Sequence, residues 1–136
     1  MSDCVFCKLV ARQIPVTVVH EDEHTIAFMD IGQVNPGHVL VALKAHAENL
    51  YALDEAQAAA VARASVRVAR AIRDAFGPAG LSVYQANGRP AGQTVFHYHV
   101  HLLPRHEGDG MELTWPVTNP PRATLEEYAA RIRAKL

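Results

Sequence analysis

The chain has 136 residues, 49% of them hydrophobic and 20% charged, which is ordinary for a single globular domain over 1–136. Its formal net charge of −1 gives no sign of a polyanion-binding surface, so nucleic acid is not an expected partner. No apolar run approaches the ~20 residues that span a bilayer, and no signal peptide begins the chain, so we expect a cytoplasmic protein that does not enter a membrane.

The first part of the chain predicts one short helix and three strands. A helical turn is expected over Cys4–Val10, and the proline of Gln13-Ile14-Pro15 ends it. Two strands joined as a hairpin follow, over Val16–His20 and Thr25–Met29. The next segment, His38–Leu43, is too uniformly apolar for a sheet edge, so it predicts an inner strand.

The middle of the chain predicts a long helix followed by two strands. Asp54 and Gln57 form a capping-box signature, and Gly77-Pro78 gives a stop signal. The helix is therefore expected from about Glu55 to Phe76. The two strands are predicted over 81–86 and 96–103.

The order of these elements predicts an α+β fold. Five strands without βαβ regularity favour an antiparallel sheet with all the helices on one side of it, among them a long central helix and a C-terminal helix. Glycines and prolines after Pro104 mark a loop, and Thr124-x-x-Glu127 predicts the cap of the final helix. Leu125, Tyr128, Ala129 and Ile132 would share one face of that helix. We treat residues from approximately 107 to 136 as a C-terminal extension of the domain.

Three histidines alternate with apolar residues in His97-Tyr98-His99-Val100-His101. On a strand, alternate side chains share a face, so the imidazoles would form one row above an apolar core face. Such a row suits metal binding, acid–base chemistry or attack on phosphorus, although it can also be a set of satisfied polar side chains. The preceding Gly92-Gln93-Thr94-Val95 can donate amides and a hydroxyl to phosphate, which favours a phosphate ligand.

The heptapeptide His-Tyr-His-Val-His-Leu-Leu resembles the motif that names the histidine triad (HIT) superfamily of nucleotide hydrolases and transferases. The likeness extends to Ala91–Val95, Asp30-Ile31, Asn35–His38 and Lys44–His46. It implies a HIT-like fold, a homodimer, and a purine nucleotide such as an AMP-containing compound as substrate.

The resemblance also implies a role for each member of the row. His99 would be the nucleophile that carries a transient nucleotidyl group. His101 would donate to the phosphate or the scissile oxygen, and His97 would complete the catalytic triad. Gln93 and the hydroxyl of Thr94 would help to stabilise charge that develops on the phosphorus oxygens. The two side chains can equally form a polar turn that caps the strand.

A nucleotide pocket follows from the same resemblance. Asp30 is expected to accept both ribose hydroxyls. Four apolar residues, otherwise ordinary core candidates, would surround the base: Phe6, Leu9, Phe28 and Ile31. The other expected nucleotide contacts are His38, Asn87, Gly92, Gln93, Thr94, Val95, His99 and His101.

The only two cysteines, Cys4 and Cys7, have a spacing typical of metal ligands or of a redox pair in a reducing compartment. By themselves they can equally be buried thiols. Bacterial proteins with the same N-terminal motif resemble this chain, and in them the thiolates, the histidine at the position of His46 and the first triad histidine, here His97, bind zinc. The resemblance therefore implies a closed, structural zinc site.

The resemblance divides between two branches of the superfamily. Ala91–Val95 and Leu103-Pro104-Arg105 are similar to the fragile histidine triad branch, which hydrolyses diadenosine polyphosphates. Asp30-Ile31 and Trp115-Pro116 are similar to Hint, which hydrolyses nucleoside phosphoramidates. We expect a hydrolase or transferase acting on the α-phosphate of purine nucleotides, a dinucleoside polyphosphate or a related compound. Phosphoramidate hydrolysis and a nucleotide-binding regulatory or scaffold role are the alternatives.

Overall fold

The computed structural model describes residues 3–136, which form one five-stranded sheet and three α-helices. The strands are β1 (Val18–Glu21), β2 (Thr25–Met29), β3 (Val39–Leu43), β4 (Gly80–Tyr84) and β5 (His99–Arg105); the helices are α1 (Val5–Val10), α2 (Glu55–Phe76) and α3 (Arg122–Arg133). All strand pairs are antiparallel, in the order β1-β2-β3-β5-β4. The predicted α+β fold with a five-stranded antiparallel sheet is confirmed.

Helix α2 has the bounds that its capping signals predict. The Asp54 carboxylate accepts from the backbone N–H of Gln57, and the Gln57 side chain accepts from the backbone N–H of Asp54. The helix ends at Gly77, whose φ of 59° lies in the left-handed region that glycine adopts without strain. Both end signals are local, which is why the sequence locates them well.

Both faces of the sheet are apolar, and each is covered by a different helix. On one face, α2 packs on a cluster that includes Val41, Val100 and Leu102. On the other face, Phe6 and Leu9 of α1 pack on a cluster built from Ile26, Phe28, Leu40 and Ala42. The expectation that the helices lie on one side is therefore wrong, because the uniformly apolar β3 requires cover on both of its faces.

Strand β5 begins later than predicted. The backbone N–H of Tyr98 donates to the Ala47 carbonyl at 2.7 Å, so residues 96–98 approach the loop after β3, and the regular ladder starts at His99. The predicted alternation is confirmed within the strand, since Val100 and Leu102 are buried on the α2 side while His99 contacts Phe6 on the other.

Helix α3 starts at Arg122, with Pro121 at its N-cap. The N–H of Thr124 already donates to the Pro121 carbonyl, so the predicted cap at Thr124 lies within the first turn. The predicted apolar face is largely exposed in the single chain: Tyr128 and Ile132 are 50% and 65% accessible. Among residues 3–136, no helix combines the length and the apolar character needed to cross a membrane.

Candidate functional site

The orientation of the His99 ring is set by the backbone two residues before it. Its Nδ1 lies 2.6 Å from the carbonyl oxygen of His97. Because a carbonyl can only accept, Nδ1 must carry the hydrogen. In the neutral ring, Nε2 therefore keeps its lone pair, which is the state that a nucleophile requires.

His101 is oriented by a chain of hydrogen bonds that begins at the backbone. The Val34 N–H donates to Nδ1 of His38 at 3.3 Å, so the neutral His38 ring carries its hydrogen on Nε2. That Nε2–H donates to Nδ1 of His101 at 2.9 Å. The remaining hydrogen of a neutral His101 is thus on Nε2, where it can donate to a ligand.

The rings of His99 and His101 line a cavity of about 590 Å³ on the α1 side of the sheet. Its walls bring together most of the predicted nucleotide contacts, namely Phe6, Leu9, Phe28, Asp30, Ile31, Thr94, Val95, His99 and His101. The walls are mainly apolar, with a few polar groups at the end where the histidines lie. A concave apolar cavity with convergent polar groups is typical of a site for a small organic ligand.

The loop before the histidine row can hold an anion. Within residues 3–136, the backbone N–H groups of Thr94 and Val95 have no hydrogen-bond partner, and both residues line the cavity beside His99. Gly92, two residues before Thr94, has a φ of 96°, and a Cβ there would lie 2.7 Å from the Tyr84 hydroxyl. Glycine therefore lets this turn form and leaves consecutive amides available to a phosphate oxygen.

Four predicted nucleotide contacts do not line the cavity. One is His38, which bonds to His101, and the other three belong to the loop before the histidine row. The Gln93 amide donates to the Glu48 carbonyl at 2.7 Å, and its oxygen accepts from the Gly88 N–H at 2.7 Å. The Asn87 oxygen accepts from the Leu50 N–H at 2.7 Å. Gly92 does not line the cavity either. These three residues hold the loop in shape, and the structure does not bring their side chains to the histidines.

His97 faces a different site. Its Nε2–H donates to the Leu43 carbonyl at 2.6 Å, which leaves the Nδ1 lone pair directed at the sulfur atoms of Cys4, at 3.4 Å, and Cys7, at 3.6 Å. Nδ1 of His46 is 3.4 Å from the Cys7 sulfur. The predicted cysteine–histidine set therefore converges, and the His97 ring is buried outside the cavity.

This set fits a tetrahedral Zn²⁺ ion. Sulfur and nitrogen ligands at the usual zinc distances lie about 3.6 Å apart, close to the separations found here. Burial, together with the neighbouring Cys4, raises the pKa of the Cys7 thiol, so a cation is needed to stabilise two adjacent thiolates. Two thiolates and two imidazoles leave no open coordination position, as in a structural site.

Burial favours the uncharged form of the two histidines that line the cavity, His99 and His101. It is the main cause that lowers the pKa of His99. Burial, with His99 and His38 nearby, lowers the pKa of His101 to about 4. The hydrogen bonds of His38 and His101 also require neutral rings, because Nδ1 of each ring accepts a hydrogen.

The sequence interpretation missed part of the cavity wall. The additional lining residues are Val5, Ile14, Pro15, Val16, Thr17, Met29 and Leu40. One signal was available, because Ile14 is an apolar residue next to a helix-ending proline and lies outside every predicted helix and strand. Val16 belongs to a predicted strand, but β1 begins only at Val18. Leu40 could have been found from alternation along β3.

Comparison with known proteins gives consistent results. A family model described as HIT domain matches residues 11–108. Protein hit of Bacillus subtilis is 49% identical over 115 residues, which cover 84% of this chain and 79% of that protein. A solved HIT family protein from Bacillus anthracis superposes with a TM-score of 0.94 at 39% identity, over 98% of this chain and 97% of the other.

Some similar proteins have informative names. Adenosine 5'-monophosphoramidase hnt1 of Schizosaccharomyces pombe is 37% identical over 83% of this chain and 83% of its own length. Adenylylsulfatase HINT3 of Arabidopsis thaliana is 32% identical over 79% of this chain and 55% of its own length. A zinc-bound histidine triad family protein from Mycobacterium smegmatis superposes with a TM-score of 0.77 at 31% identity, over 99% of both chains.

Proposed function

This chain belongs to the HIT family, and from that premise we propose that it hydrolyses or transfers a purine nucleoside monophosphate group through a covalent adduct on His99. The observation that carries the proposal is the bond from His99 Nδ1 to the His97 carbonyl, which leaves Nε2 of a neutral ring as the free nucleophile. A protein that only bound nucleotides would have no use for this arrangement.

The reaction has two steps. His99 Nε2 attacks the α-phosphorus, and the bond to the leaving group breaks as the phosphorus–nitrogen bond forms. In the same step the leaving group takes up a proton from solvent. Water then attacks phosphorus as the phosphorus–nitrogen bond breaks, loses a proton to solvent, and releases the nucleoside monophosphate from a neutral His99 ring. The free amides of Thr94 and Val95 and the Nε2–H of His101 donate to the phosphate oxygens, where charge develops.

The nucleotide would lie along the cavity with its base against the Phe6 and Phe28 side chains and its ribose at Asp30. Gly32 N–H occupies Oδ1 of Asp30 at 2.8 Å, while Oδ2 faces the histidines and is available to ribose hydroxyls. His38 supports the phosphate end from behind His101. Gln93, Asn87 and Gly92 act indirectly in this proposal, since they shape the loop that presents Thr94 and Val95.

Two relatives have names that refer to an adenosine phosphoramidate and to adenylylsulfate. Their names favour the phosphoramidate alternative over the dinucleoside polyphosphate that the sequence suggested first. We therefore propose an adenosine phosphoramidate as the preferred substrate. Turnover of a panel with an adenosine phosphoramidate, adenylylsulfate and a diadenosine polyphosphate would rank the three leaving groups.

The mechanism is tested by His99→Ala. Turnover should be abolished, while AMP binding measured by calorimetry should stay within about tenfold, roughly 1.4 kcal/mol, because the nucleophile forms its bond only during reaction. His106→Ala, at an exposed histidine outside the cavity, is the matched control and should behave as the unmodified protein. Retained turnover in His99→Ala would exclude the covalent route.

We also propose that Cys4, Cys7, His46 and His97 hold a structural Zn²⁺ ion, which would fix α1 against the sheet. Both cysteines are free thiols, as a metal site in a reducing compartment such as the cytoplasm requires. That a similar protein is zinc-bound supports the choice of Zn²⁺ as the ion. The reaction steps above do not pass through this ion.

A second copy of the chain is the proposed partner at β4. This strand is an edge of the sheet, and Val83 and Val66 of the neighbouring α2 are 64% and 51% exposed. Between them lies an apolar groove of about 330 Å³ lined by small residues such as Ala62 and Ser65. An open edge with apolar side chains is suited to pairing with an identical edge.

A further inference from the structure

A second cluster of metal-ligating atoms lies in the nucleotide cavity, separate from the cysteine set. Nε2 of His38 is 2.9 Å from Nδ1 of His101 and 3.4 Å from Oδ2 of Asp30. Oδ2 is 3.9 Å from Nδ1 of His101. Each of the three residues thus offers one ligand atom, and the three atoms lie within 4.8 Å of one another.

These separations suit a divalent transition metal ion. Ligand atoms about 2.05 Å from an ion lie roughly 3.3 Å apart in a tetrahedral site and about 2.9 Å apart in adjacent octahedral positions. The observed range of 2.9–3.9 Å includes both values. Two imidazoles and one carboxylate favour Zn²⁺ or a similar ion over Mg²⁺ or Ca²⁺, which prefer oxygen ligands.

We propose that Asp30, His38 and His101 form a second divalent metal site, for Zn²⁺ or a similar transition metal ion, at the ribose and phosphate end of the cavity. Three protein ligands leave coordination positions for water. An ion can enter because the Asp30 and His101 side chains are 21% and 24% exposed. The third ligand, His38, is buried.

Binding at this cluster has a structural cost. His38 carries its hydrogen on Nε2, because Nδ1 accepts from the Val34 N–H. To coordinate an ion through Nε2, the ring must move that hydrogen to Nδ1, which breaks the Val34 hydrogen bond. Nδ1 of His97 needs no such change, since its lone pair is already free. The second site should therefore bind Zn²⁺ more weakly than the cysteine site.

Occupancy of the second site should exclude the nucleotide. The ion would use Oδ2 of Asp30, which is the oxygen assigned to the ribose, and it would immobilise the His101 ring that donates to phosphate. This competition rests on the proposed function, whereas metal binding itself does not. An excess of Zn²⁺ would then inhibit turnover, although the cysteine site remains filled.

Calorimetric titration of the purified full chain with Zn²⁺ tests the proposal. The unmodified protein should bind one more ion per chain than Asp30→Asn or His38→Ala. In these variants the affinity of the second site for Zn²⁺ should fall by at least roughly 10- to 100-fold. That is the loss caused by removing a hydrogen-bond partner of a metal ligand, and removing a ligand itself should cost no less. His24→Ala, at an exposed histidine outside both clusters, is the control and should bind as many ions as the unmodified protein.

Different outcomes separate this proposal from the proposed function. Equal Zn²⁺ stoichiometry and affinity in the unmodified protein and Asp30→Asn would overturn the second site, whether or not AMP binds. Loss of one ion in Asp30→Asn and His38→Ala, with His24→Ala unchanged, would support it. If AMP lowers the affinity of that ion, the shared pocket is supported as well. If AMP binds by calorimetry without changing the Zn²⁺ affinity, the assignment of Asp30 to the ribose fails and the metal site stands.

Discussion

The ring of Phe6 stands edge-on to the ring of His99, with centroids 4.9 Å apart and planes at 81°. Phe6 belongs to α1 and lies between the two cysteines of the proposed zinc site. The same ring also contacts the Phe28 ring in the cavity wall, with centroids 5.2 Å apart. One side chain therefore connects the metal-binding helix, the base pocket and the nucleophile.

Phe6→Leu should lower both AMP affinity and kcat, because it removes a cavity wall and the contact that holds the His99 ring. Phe28→Leu removes a comparable wall without a ring contact to His99, so it should raise KM with little change in kcat. Steady-state kinetics of the two variants would distinguish these effects. Equal loss of kcat in both variants would mean that Phe6 does not position the nucleophile.

Asp30→Asn should weaken binding of AMP more than binding of 2'-deoxy-AMP. The substitution keeps the shape of the side chain but removes its charge and half of its acceptor capacity, which matters only for a ligand with both hydroxyls. Calorimetry with the two nucleotides measures the difference. If the two nucleotides lose affinity equally, Asp30 does not bind the ribose, and its role is to accept the hydrogen bond from the Gly32 N–H.

Cys7→Ser should lower both the zinc content and the melting temperature. The unmodified protein should contain about one ion per chain as purified, and chelation should destabilise the fold before it affects the chemical step. Elemental analysis and thermal unfolding of the same samples provide the measurements. Inhibition by a chelator without any change in melting temperature would contradict a structural role and indicate a catalytic ion.

The acid limb of the kcat/KM profile should lie below pH 6.5. The nucleophile must be neutral, and burial lowers the pKa of His99 from its ordinary value of 6.5. Activity should therefore persist as the pH falls through 6.5 and be lost only at lower pH, where the buried ring finally takes up a proton. A limb above 6.5, measured with the metal site saturated, would show that His99 is more easily protonated than its burial indicates.

Val83→Arg should convert the proposed dimer into a monomer. The substitution places a charge on the exposed apolar edge at β4, where a second copy would bury it without a partner. Val19→Arg on β1, the opposite edge of the sheet, is the matched control and should leave the mass unchanged. Light scattering coupled to gel filtration measures the mass. A monomeric unmodified protein would contradict the proposal outright.

Local signals explain what the sequence predicted well. Asp54, Gln57 and Gly77 determine the ends of α2 through contacts within a few residues. The strand alternation of His99 and His101 against Val100 follows from backbone geometry alone. The convergence of the cysteine–histidine set came from resemblance to known proteins, since no local pattern relates Cys4 to His97.

Long-range contacts explain what the sequence did not predict. β5 starts at His99 because Tyr98 bonds to Ala47, some fifty residues earlier in the chain. The Gln93 amide points into the loop because it donates a hydrogen bond to the Glu48 carbonyl there. A side chain that can donate to phosphate can equally donate to a distant carbonyl, and composition does not distinguish the two.

The position of α1 between the metal ligands and the cavity also links two binding equilibria. If Zn²⁺ holds Phe6 in the place that a nucleotide requires, it raises nucleotide affinity by some factor. By thermodynamic reciprocity, the bound nucleotide then raises the affinity of the cysteine site for Zn²⁺ by the same factor. A bound nucleotide would therefore slow the loss of zinc to a competing chelator, and the protein would retain its metal best while it is occupied with substrate.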